Sequence, residues 1–563
     1  MRSAAALAPV AALFALVTGI ALYALSRPVP AAPEPKVRLA VLVVFDQMRG
    51  DYLARWGAHF GPNGFNRLTR DGAWFTNCHY PYATTTTGPG HASMLTGTAP
   101  GTHGIVNNSW VENGKVLNCT GPARYRLDPP QPRDPKTKEE PRSPGAPELL
   151  LSETVADVLK REKKRAKVFG VSLKDRSAIL PTGQRPDGAF WYFGAFGTSD
   201  YYTRTRGLPL WVERFNAARV ADRWLGKPWD RLHPRSLYND CAGPDESPGE
   251  GKGAGQGTTF PHPTNGPTHA AVVNSPFGNE LLLEFAKTCV REERLGADTV
   301  PDLLVISFSS NDGIGHTWGP DSHEVMDVTL RSDAIVADLL AFLDGRVGPG
   351  RYLLGLTADH GVCPLPEVSR AKGEAGALRV DPVELQKELD AHLTALFPQS
   401  KPADGKPAAW VEGFSFPWVH LRPSVLKANG IPREVVAAEA ARFLATRTGV
   451  ARAFTRAELT GPVPASDEIG TMMKRSFYPA RCGDVGVVLK PYCIPSTRIG
   501  TGTTHGAPYP YDTHVPLLVY GPGIRGGTRD ERTTPQALAS IFAKWLDVSR
   551  PKDAGFPIPT TLD

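Results

Sequence analysis

Five short, unbroken apolar runs limit most strongly how this chain of 563 residues can fold. They are rich in Val, Ile and Leu, and helix-like stretches separate them, which is typical of strands in a parallel sheet covered on both faces. The runs occupy residues 39–45, 168–172, 303–308, 352–357 and 515–520. Helical patterns occupy residues 153–163, 279–293 and 326–343. The sequence therefore predicts the α/β class, with a mainly parallel central sheet and helices on both faces.

Residues 364–500 separate the fourth run from the fifth and follow a different pattern. Two amphipathic helical patterns flank a strand-like stretch, at residues 382–396, 433–448 and 408–421 respectively. We interpret 364–500 as a small α+β cap, inserted into a catalytic core made of residues 37–363 and 501–563.

Two further regions, 127–148 and 226–268, are crowded with Pro, Gly and charged residues. Such composition predicts surface loops.

The first 36 residues are typical of an export segment, either a signal peptide or a signal anchor followed by a linker. Arg2 precedes an uncharged run that extends to residue 26, and a proline-rich stretch follows. Ala24 and Ser26 suit cleavage after residue 26, while the run is also long enough to span a bilayer uncleaved. We expect an exported protein, periplasmic or extracellular, which is held at a membrane only if this segment is retained.

Composition argues against several classes of protein. Apolar residues make up 41% and charged residues 21%, which is typical of a soluble globular chain. The net charge of +6 is not gathered into a block, so nucleic-acid binding is not expected. The seven cysteines form no zinc-finger pattern. In an exported protein one or two disulfides are expected, and Cys482 and Cys493 are the closest pair in sequence.

Acidic residues and histidines lie at the ends of the predicted strands, where ligands bind in open α/β sheets. They are Asp46 after the first run, Asp312 and His316 after the third, Asp359 and His360 after the fourth, and His505 before the fifth. One Asp at a strand end is commonly a loop cap, but the same chemistry at three strand ends indicates a site. Asp and His are typical zinc ligands in hydrolytic enzymes. Six candidates exceed what one tetrahedral ion uses and predict two ions, an arrangement suited to in-line phosphoryl displacement.

Four consecutive threonines, residues 84–87, precede a helix-like segment. Pro89 suits the first turn of a helix, which puts Thr87 at or just before the N-terminus, where backbone N–H groups attract an anion. From these residues alone, a threonine N-cap is the simpler interpretation. A threonine hydroxyl becomes a nucleophile only beside a metal or a base.

Taken together, these motifs resemble the alkaline phosphatase superfamily, and within it the threonine-nucleophile alkaline phosphatases related to nucleotide pyrophosphatases/phosphodiesterases. The matching segments are spread over nearly the whole chain after residue 36. They are VFDQMRGD at 44–51, TGPGHASMLTG at 87–97, HGIVNN at 103–108, SLKDR at 172–176, DGIGH at 312–316, TADHG at 357–361 and THG at 504–506.

The resemblance implies a zinc-dependent alkaline phosphatase that hydrolyses phosphate monoesters through a phosphothreonine intermediate. The implied roles are Thr87 as nucleophile and metal ligand, Asp46, Asp359 and His360 as ligands of the zinc beside it, and Asp312, His316 and His505 as ligands of a second zinc. The implied phosphoryl-binding residues are Asn108, Lys174 and Arg176, and the last two mark the monoesterases of the family. Four other histidines near the motifs are expected to be structural, namely His91, His103, His323 and His514. A calcium site is possible in such a protein but cannot be derived from these residues.

Other functions remain open. A phosphodiesterase or nucleotide pyrophosphatase would use the same two zinc ions. A non-catalytic phosphate-binding protein would have an incomplete ligand set, and a membrane-tethered transferase would need further spans or a long apolar acceptor region. No Cys-x-Pro-x-Arg or Ser-x-Pro-x-Arg motif is present, which argues against a sulfatase. Small phosphorylated molecules are the expected partners of a monomeric enzyme.

Overall fold

The computed structural model describes residues 37–112, 114–121, 124–131, 144–204, 207–266, 268–399 and 408–562. The predicted export segment, 1–36, lies outside these ranges, so export and membrane attachment stay predictions. Across the ranges described, no helix is both long and apolar enough to cross a membrane.

The strands of the described residues are numbered here along the chain. They are β1 (Leu39–Phe45), β2 (Ala73–Phe75), β3 (Ser109–Glu112), β4 (Lys115–Asn118), β5 (Leu127–Asp128), β6 (Val168–Ser172), β7 (Gly188–Tyr192), β8 (Phe196–Ser199), β9 (Asp302–Phe308), β10 (Tyr352–Thr357), β11 (Arg379–Val380), β12 (Val411–Ser415), β13 (Trp418–Leu421), β14 (Val450–Thr455), β15 (Val485–Leu489), β16 (Ile494–Pro495), β17 (Leu517–Tyr520) and β18 (Gly527–Arg529).

A ten-stranded sheet forms the centre of the fold, in the order β18-β2-β17-β10-β1-β9-β6-β7-β8-β5. Its five middle strands, from β10 to β7, are parallel. Every residue of β1, β9 and β10 is buried, because both faces of the sheet are covered. The predicted α/β class with a mainly parallel sheet is confirmed.

The fifth predicted run differs from the other four. It becomes a strand only from Leu517 onwards, and this strand, β17, is antiparallel to β10. Leu517 pairs with Thr357, the last residue of β10. An antiparallel strand starts at the edge where its neighbour ends, so the residues before β17 reach the carboxyl edge of the parallel strands.

Helices connect and cover these strands. They are Tyr52–Trp56, Phe65–Asp71, Thr87–Thr96, Pro100–His103, Val155–Glu162, Asp175–Ile179, Asp200–Thr203, Leu210–Ala217, Arg235–Ala242, Ala270–Val273, Pro276–Glu292, Ser310–Trp318, His323–Arg346, Pro366–Ala371, Pro382–Leu396, Pro423–Asn429, Arg433–Ala445, Arg456–Thr460, Glu468–Ser476, Pro510–Thr513 and Ala537–Leu546. The helical patterns predicted at 153–163, 279–293 and 326–343 all fall on helices.

The predicted loop 226–268 is partly wrong, because it contains the helix Arg235–Ala242. Tyr238 of this helix is fully buried and its hydroxyl donates to Asp327 Oδ1 at 2.5 Å. This buried contact accounts for the formation of a helix in an otherwise polar segment. In the other predicted loop, 127–148, the described part begins with the short strand β5, which pairs with β8.

The region predicted as a cap contains a second, four-stranded sheet in the order β12-β13-β15-β14, with all neighbours antiparallel. The predicted strand-like stretch 408–421 forms two strands, β12 and β13, joined by a turn at Phe416 and Pro417. The helices Pro382–Leu396 and Arg433–Ala445 pack on this sheet and share with it a buried apolar cluster separate from that of the central sheet. The exact limits of the cap, 364–500, stay a prediction.

All seven cysteines are free thiols, so the one or two disulfides expected of an exported protein are not formed, and Cys482 and Cys493, the closest pair in sequence, are not bonded. The two residues pack in different apolar clusters, which keeps them apart.

Candidate active site

The carboxyl edge of the central sheet brings together the six Asp and His residues predicted to bind metal. Asp46 directly follows β1, and Asp359 and His360 follow β10 after one residue. Asp312 and His316 lie on the helix Ser310–Trp318 after β9, and the i,i+4 spacing puts both on one face. His505 comes from the loop before the antiparallel strand β17.

The first set of three, called here the inner ligand group, consists of Asp46, Asp359 and His360. One ligand atom from each lies within 4.8 Å of the other two. All three side chains have 0% exposure. Among the residues that the structure describes, none donates a hydrogen bond to Asp46 Oδ1 or Asp359 Oδ2. Buried carboxylate oxygens without a donor are costly unless a cation lies against them, so the inner group fits a metal ion.

The outer ligand group consists of Asp312, His316 and His505, whose ligand atoms also lie within 4.8 Å of one another. His316 Nε2 lies 3.2 Å and His505 Nε2 lies 3.7 Å from Asp312 Oδ1. The His316 side chain is 35% exposed, so the outer group is in contact with solvent.

The three histidines of the two groups are oriented in the same way. Each donates its Nδ1–H to a backbone carbonyl: His360 to Gly361 at 2.9 Å, His316 to Thr503 at 2.7 Å and His505 to Thr85 at 2.7 Å. Such bonds fix the tautomer that leaves the Nε2 lone pair for a metal. Burial lowers the pKa of His360. Burial, with His360 and His316 nearby, holds the pKa of His505 well below its usual value. Both imidazoles therefore favour the neutral form that binds a cation.

Two side chains connect the inner group to the outer group. Lys174 Nζ donates to Asp46 Oδ2 at 2.7 Å and to Asp312 Oδ2 at 2.6 Å. Gln47 donates its backbone N–H to Asp359 Oδ1 at 3.0 Å and its Nε2 to Asp312 Oδ1 at 2.7 Å. Gln47 has a φ of 69°, in the left-handed region that non-glycine residues seldom adopt. Such strain persists where surrounding contacts hold it, and it is common at active sites.

The carboxylates of the two groups differ in how their charge is balanced. Burial, followed by the charge of Asp359, raises the pKa of Asp46 well above its usual value. Burial alone would also raise the pKa of Asp312, but His316 and Lys174 outweigh it and hold that pKa well below the usual value. Burial would also raise the pKa of Asp359, but His360 and His91 outweigh it and hold that pKa well below the usual value. Asp46 is therefore the carboxylate of the two groups whose charge is least balanced by its surroundings.

Thr87 lies beside the inner group at the start of the helix Thr87–Thr96. Its side chain is buried, and Oγ1 lies 3.4 Å from His360 Nε2. A Cβ on Gly90 would lie 2.3 Å from Asp359 O, so only glycine lets the first turn approach the end of β10 this closely. The N-terminus of this helix can therefore bind an anion next to the inner group.

The residues predicted to bind the phosphoryl group share one cleft. Asn108, Lys174 and Arg176 line a space of about 430 Å³. Asn108 Oδ1 accepts from Gly88 N at 2.7 Å, which fixes the amide next to Thr87. Arg176 Nε is buried and has no acceptor among the described residues. Lys174 is predicted to bind the phosphoryl group, but in the structure its ammonium bonds to the carboxylates of Asp46 and Asp312.

The four histidines expected to be structural are all bonded to the protein. His91 Nδ1 donates to Thr87 O and its Nε2 bonds to Ser307 Oγ; His103 bonds to Ser93 Oγ and Ile105 N; His323 donates to Gly243 O; and His514 donates to Thr76 O. His91 Nδ1 also lies 3.2 Å from Asp359 Oδ2, which links this histidine to the inner group.

Sequence reasoning missed three polar residues that support the site. These are Gln47, Asn107, which bonds to Thr86 and Asn108, and Asp512, whose carboxylate accepts from Gly506 N and Ala507 N beside His505. Gln47 and Asn107 lie inside matching motifs, and that position is the signal that could have identified them. No sequence signal marks Asp512.

Comparison with known proteins finds relatives along most of the chain. The profile of the type I phosphodiesterase / nucleotide pyrophosphatase family matches residues 40–374. Alkaline phosphatase PhoV from Synechococcus elongatus is 32% identical over 537 residues, 93% of this chain and 92% of that protein. Alkaline phosphatase PafA from Elizabethkingia meningoseptica is 33% identical over 546 residues, 94% of this chain and 95% of that protein.

A crystal structure of alkaline phosphatase PafA superposes with a TM-score of 0.85 at 30% identity, covering 94% of this chain and 99% of that one. The resemblance inferred from the motifs is thus confirmed over nearly the whole sequence. The chain belongs to the type I phosphodiesterase / nucleotide pyrophosphatase family and is related throughout to the alkaline phosphatases within it.

Proposed function

We propose that this protein is a zinc-dependent phosphatase that hydrolyses phosphate monoesters through a phosphothreonine intermediate. The observation that carries the proposal is the position of Thr87, whose hydroxyl adjoins the inner ligand group at a helix N-terminus. Its neighbour Gly88 is bonded to Asn108, which lines a cleft with two cationic side chains. The relatives named alkaline phosphatase support the same reaction.

Zinc fits both ligand groups, because each offers carboxylate oxygens and imidazole nitrogens. The inner group with Thr87 would hold one ion, and the outer group would hold the other. When bound, the ions supply Lewis-acid stabilisation of phosphoryl oxygens and lower the pKa of the attacking hydroxyl and water.

The residues of the chain then have distinct roles in two displacements. In the first, Thr87 Oγ1 loses its proton and forms a bond to phosphorus, the ester P–O bond breaks, and the leaving oxygen takes up a proton to depart as the alcohol. In the second, water attacks the same phosphorus and loses a proton, the bond to Oγ1 breaks, Oγ1 regains a proton, and inorganic phosphate is released. Asn108, Lys174 and Arg176 hold the non-bridging oxygens in both displacements.

Phosphodiesterase activity is the second candidate, because the family profile carries that description. The monoester is favoured by two cationic side chains, Lys174 and Arg176, in the cleft beside Asn108. A monoester has one more negative charge and one more non-bridging oxygen than a diester, and arginine can bind two such oxygens in parallel.

We also propose where the enzyme is located, which substrates it uses and in which oligomeric state it is active. The segment 1–36 supports export to the periplasm or beyond it, with membrane attachment only if it is retained. Small phosphorylated molecules are the proposed substrates, and the active chain is proposed to be a monomer.

One experiment tests the proposal directly. The purified chain is assayed on a panel of phosphate monoesters, phosphodiesters and sulfates, with zinc measured by elemental analysis. We expect the highest kcat/KM on monoesters, about two zinc ions per chain, loss of activity on chelation and recovery with added zinc. Faster diester hydrolysis, or full activity with one ion per chain, would contradict it.

A further inference from the structure

The inserted region makes close contact with the chain segment that leads to Thr87. Ala83 N and Thr84 N both donate to Ser476 Oγ, at 2.9 and 3.1 Å. Ser476 is the last residue of the helix Glu468–Ser476, which belongs to the region predicted as a cap. The threonine run is therefore fixed by the insertion at its first residue, Thr84, and at the residue before it.

A second contact from the insertion passes through Asn107. Its Nδ2 donates to Phe416 O at 2.9 Å, in the turn between β12 and β13. Its Oδ1 accepts from Thr86 Oγ1 at 3.0 Å and from Asn108 N at 2.8 Å. One amide side chain thus joins the four-stranded sheet to the residue before the nucleophile and to the predicted phosphoryl-binding asparagine.

The turn that holds Asn107 is itself well supported. Val487 N donates to Pro417 O at 2.9 Å, and Trp418 pairs with Gly486 across β13 and β15. Trp418 is fully buried. Phe416 O is therefore an acceptor fixed by the inserted sheet.

Asn108 depends on two such contacts for its position. Asn107 holds its backbone N–H, and Gly88 N–H holds its side-chain oxygen at 2.7 Å. Within the described part of the chain no acceptor bonds to Asn108 Nδ2, so both amide hydrogens remain for a ligand in the cleft.

We propose that Asn107 is a positioning residue, through which the inserted sheet sets the place of Asn108 for phosphoryl binding. This inference rests on the function proposed above. Reacting groups displaced by about 1 Å can lose roughly 100-fold in rate. Without the Asn107 side chain, Asn108 N loses its acceptor and the contact with Phe416 O is lost.

A double-mutant cycle separates positioning from plain stabilisation of the fold. The full-length, zinc-loaded variants Asn107→Ala, Asn108→Ala and the double variant are assayed with 4-nitrophenyl phosphate for kcat and KM, with inorganic phosphate for inhibition, and for Tm. We expect Asn107→Ala to lower kcat/KM by roughly 10- to 100-fold and to weaken phosphate inhibition. In the Asn108→Ala background, adding Asn107→Ala should lower kcat/KM by less than about threefold, because the effect of Asn107 passes through Asn108. An equal factor in both backgrounds, or no loss in the wild-type background, would overturn the inference.

Glu439→Gln is the matched control within the insertion. Glu439 accepts from His392 at 2.8 Å, between the helices Arg433–Ala445 and Pro382–Leu396, and does not bond to residues 83–108. We expect a lower Tm with kcat/KM within about twofold of wild type. If this variant loses as much activity as Asn107→Ala at the same loss of Tm, the role of Asn107 is only structural. A wild-type chain without monoesterase activity would instead reject the proposed function itself.

Discussion

The inner and outer ligand groups have similar chemistry but are built from different parts of the fold. The inner group follows directly from the buried parallel strands β1 and β10, and all its side chains are inaccessible to solvent. The outer group comes from a helix and a loop, and His316 reaches solvent. Under the mechanism proposed above, we expect a division of labour, in which the buried inner group activates the nucleophile and the more exposed outer group acts on the leaving oxygen.

The largest effect should follow from removing the hydroxyl beside the inner group. We expect Thr87→Val to lower kcat by on the order of 10⁴-fold or more with a Tm close to wild type, because the nucleophile is lost while the side-chain volume is kept. The measurement is steady-state kinetics on a monoester, with mass spectrometry for the phosphorylated residue. Thr84→Val is the matched control, since Thr84 Oγ1 is buried without a partner among the described residues. Full activity in Thr87→Val would mean that another group attacks phosphorus.

Substitution of one carboxylate in each group tests the division of labour. Asp46→Asn should lower kcat/KM by roughly 10³-fold, because the inner cation beside Thr87 loses an anionic ligand. On substrates with good leaving groups, such as 4-nitrophenyl phosphate, Asp312→Asn should lower kcat/KM less than Asp46→Asn does. On alkyl phosphates, the loss of kcat/KM in Asp312→Asn should be larger. Both variants should contain less zinc by elemental analysis. Equal losses for the two substitutions on both substrate types would contradict a division of labour.

The next largest effect should follow from substituting either cationic side chain of the cleft, Lys174 or Arg176. Lys174→Ala and Arg176→Ala should each lose about 2–4 kcal/mol of transition-state stabilisation on monoesters, and much less on diesters. The kcat/KM ratio between the two ester classes is the measurement. Lys174 joins the inner and outer carboxylates and Arg176 does not, so only Lys174→Ala should also change zinc affinity. Equal losses on both ester classes would place the protein with the phosphodiesterases.

The sequence predicted the central fold where strands are buried on both faces. Such strands appear as unbroken apolar runs, and β1, β6 and β10 begin and end at the predicted residues. The missed strands are short or contain glycine, as in β8, or lie in the insertion, as do β14 and β15. β14 pairs with β15 across two intervening helices, so the neighbouring sequence does not show that they belong to one sheet.

The site shows the same limit. Acidic and histidine ligands could be recognised because they follow buried strands, and His505 reaches them because β17 is antiparallel. Gln47 bonds to Asp312, which lies 265 positions further along the chain. Asn107 bonds to Phe416, which lies 309 positions further along. An amide has no charge or metal preference that would mark such a role, so beyond the position of both residues inside matching motifs only the folded chain shows it.

The smallest expected effect concerns Gln47, which ties the outer group to the inner one. Gln47→Gly removes the hydrogen bond to Asp312 and should weaken zinc binding at the outer group by roughly tenfold, as for other residues that orient ligands. The inner group should keep its ion, because the bond to Asp359 comes from the backbone.

Gln47→Ala is the matched control, since it loses the same bond but keeps a side chain at a φ of 69°. Glycine tolerates this conformation, so the glycine variant should be more stable than the alanine variant by about 1 kcal/mol. Zinc titration against a chelator measures the two affinities, and thermal unfolding measures the stability difference. If both ions weaken equally in Gln47→Gly, the two groups form one cooperative site, and the contrast between them does not hold.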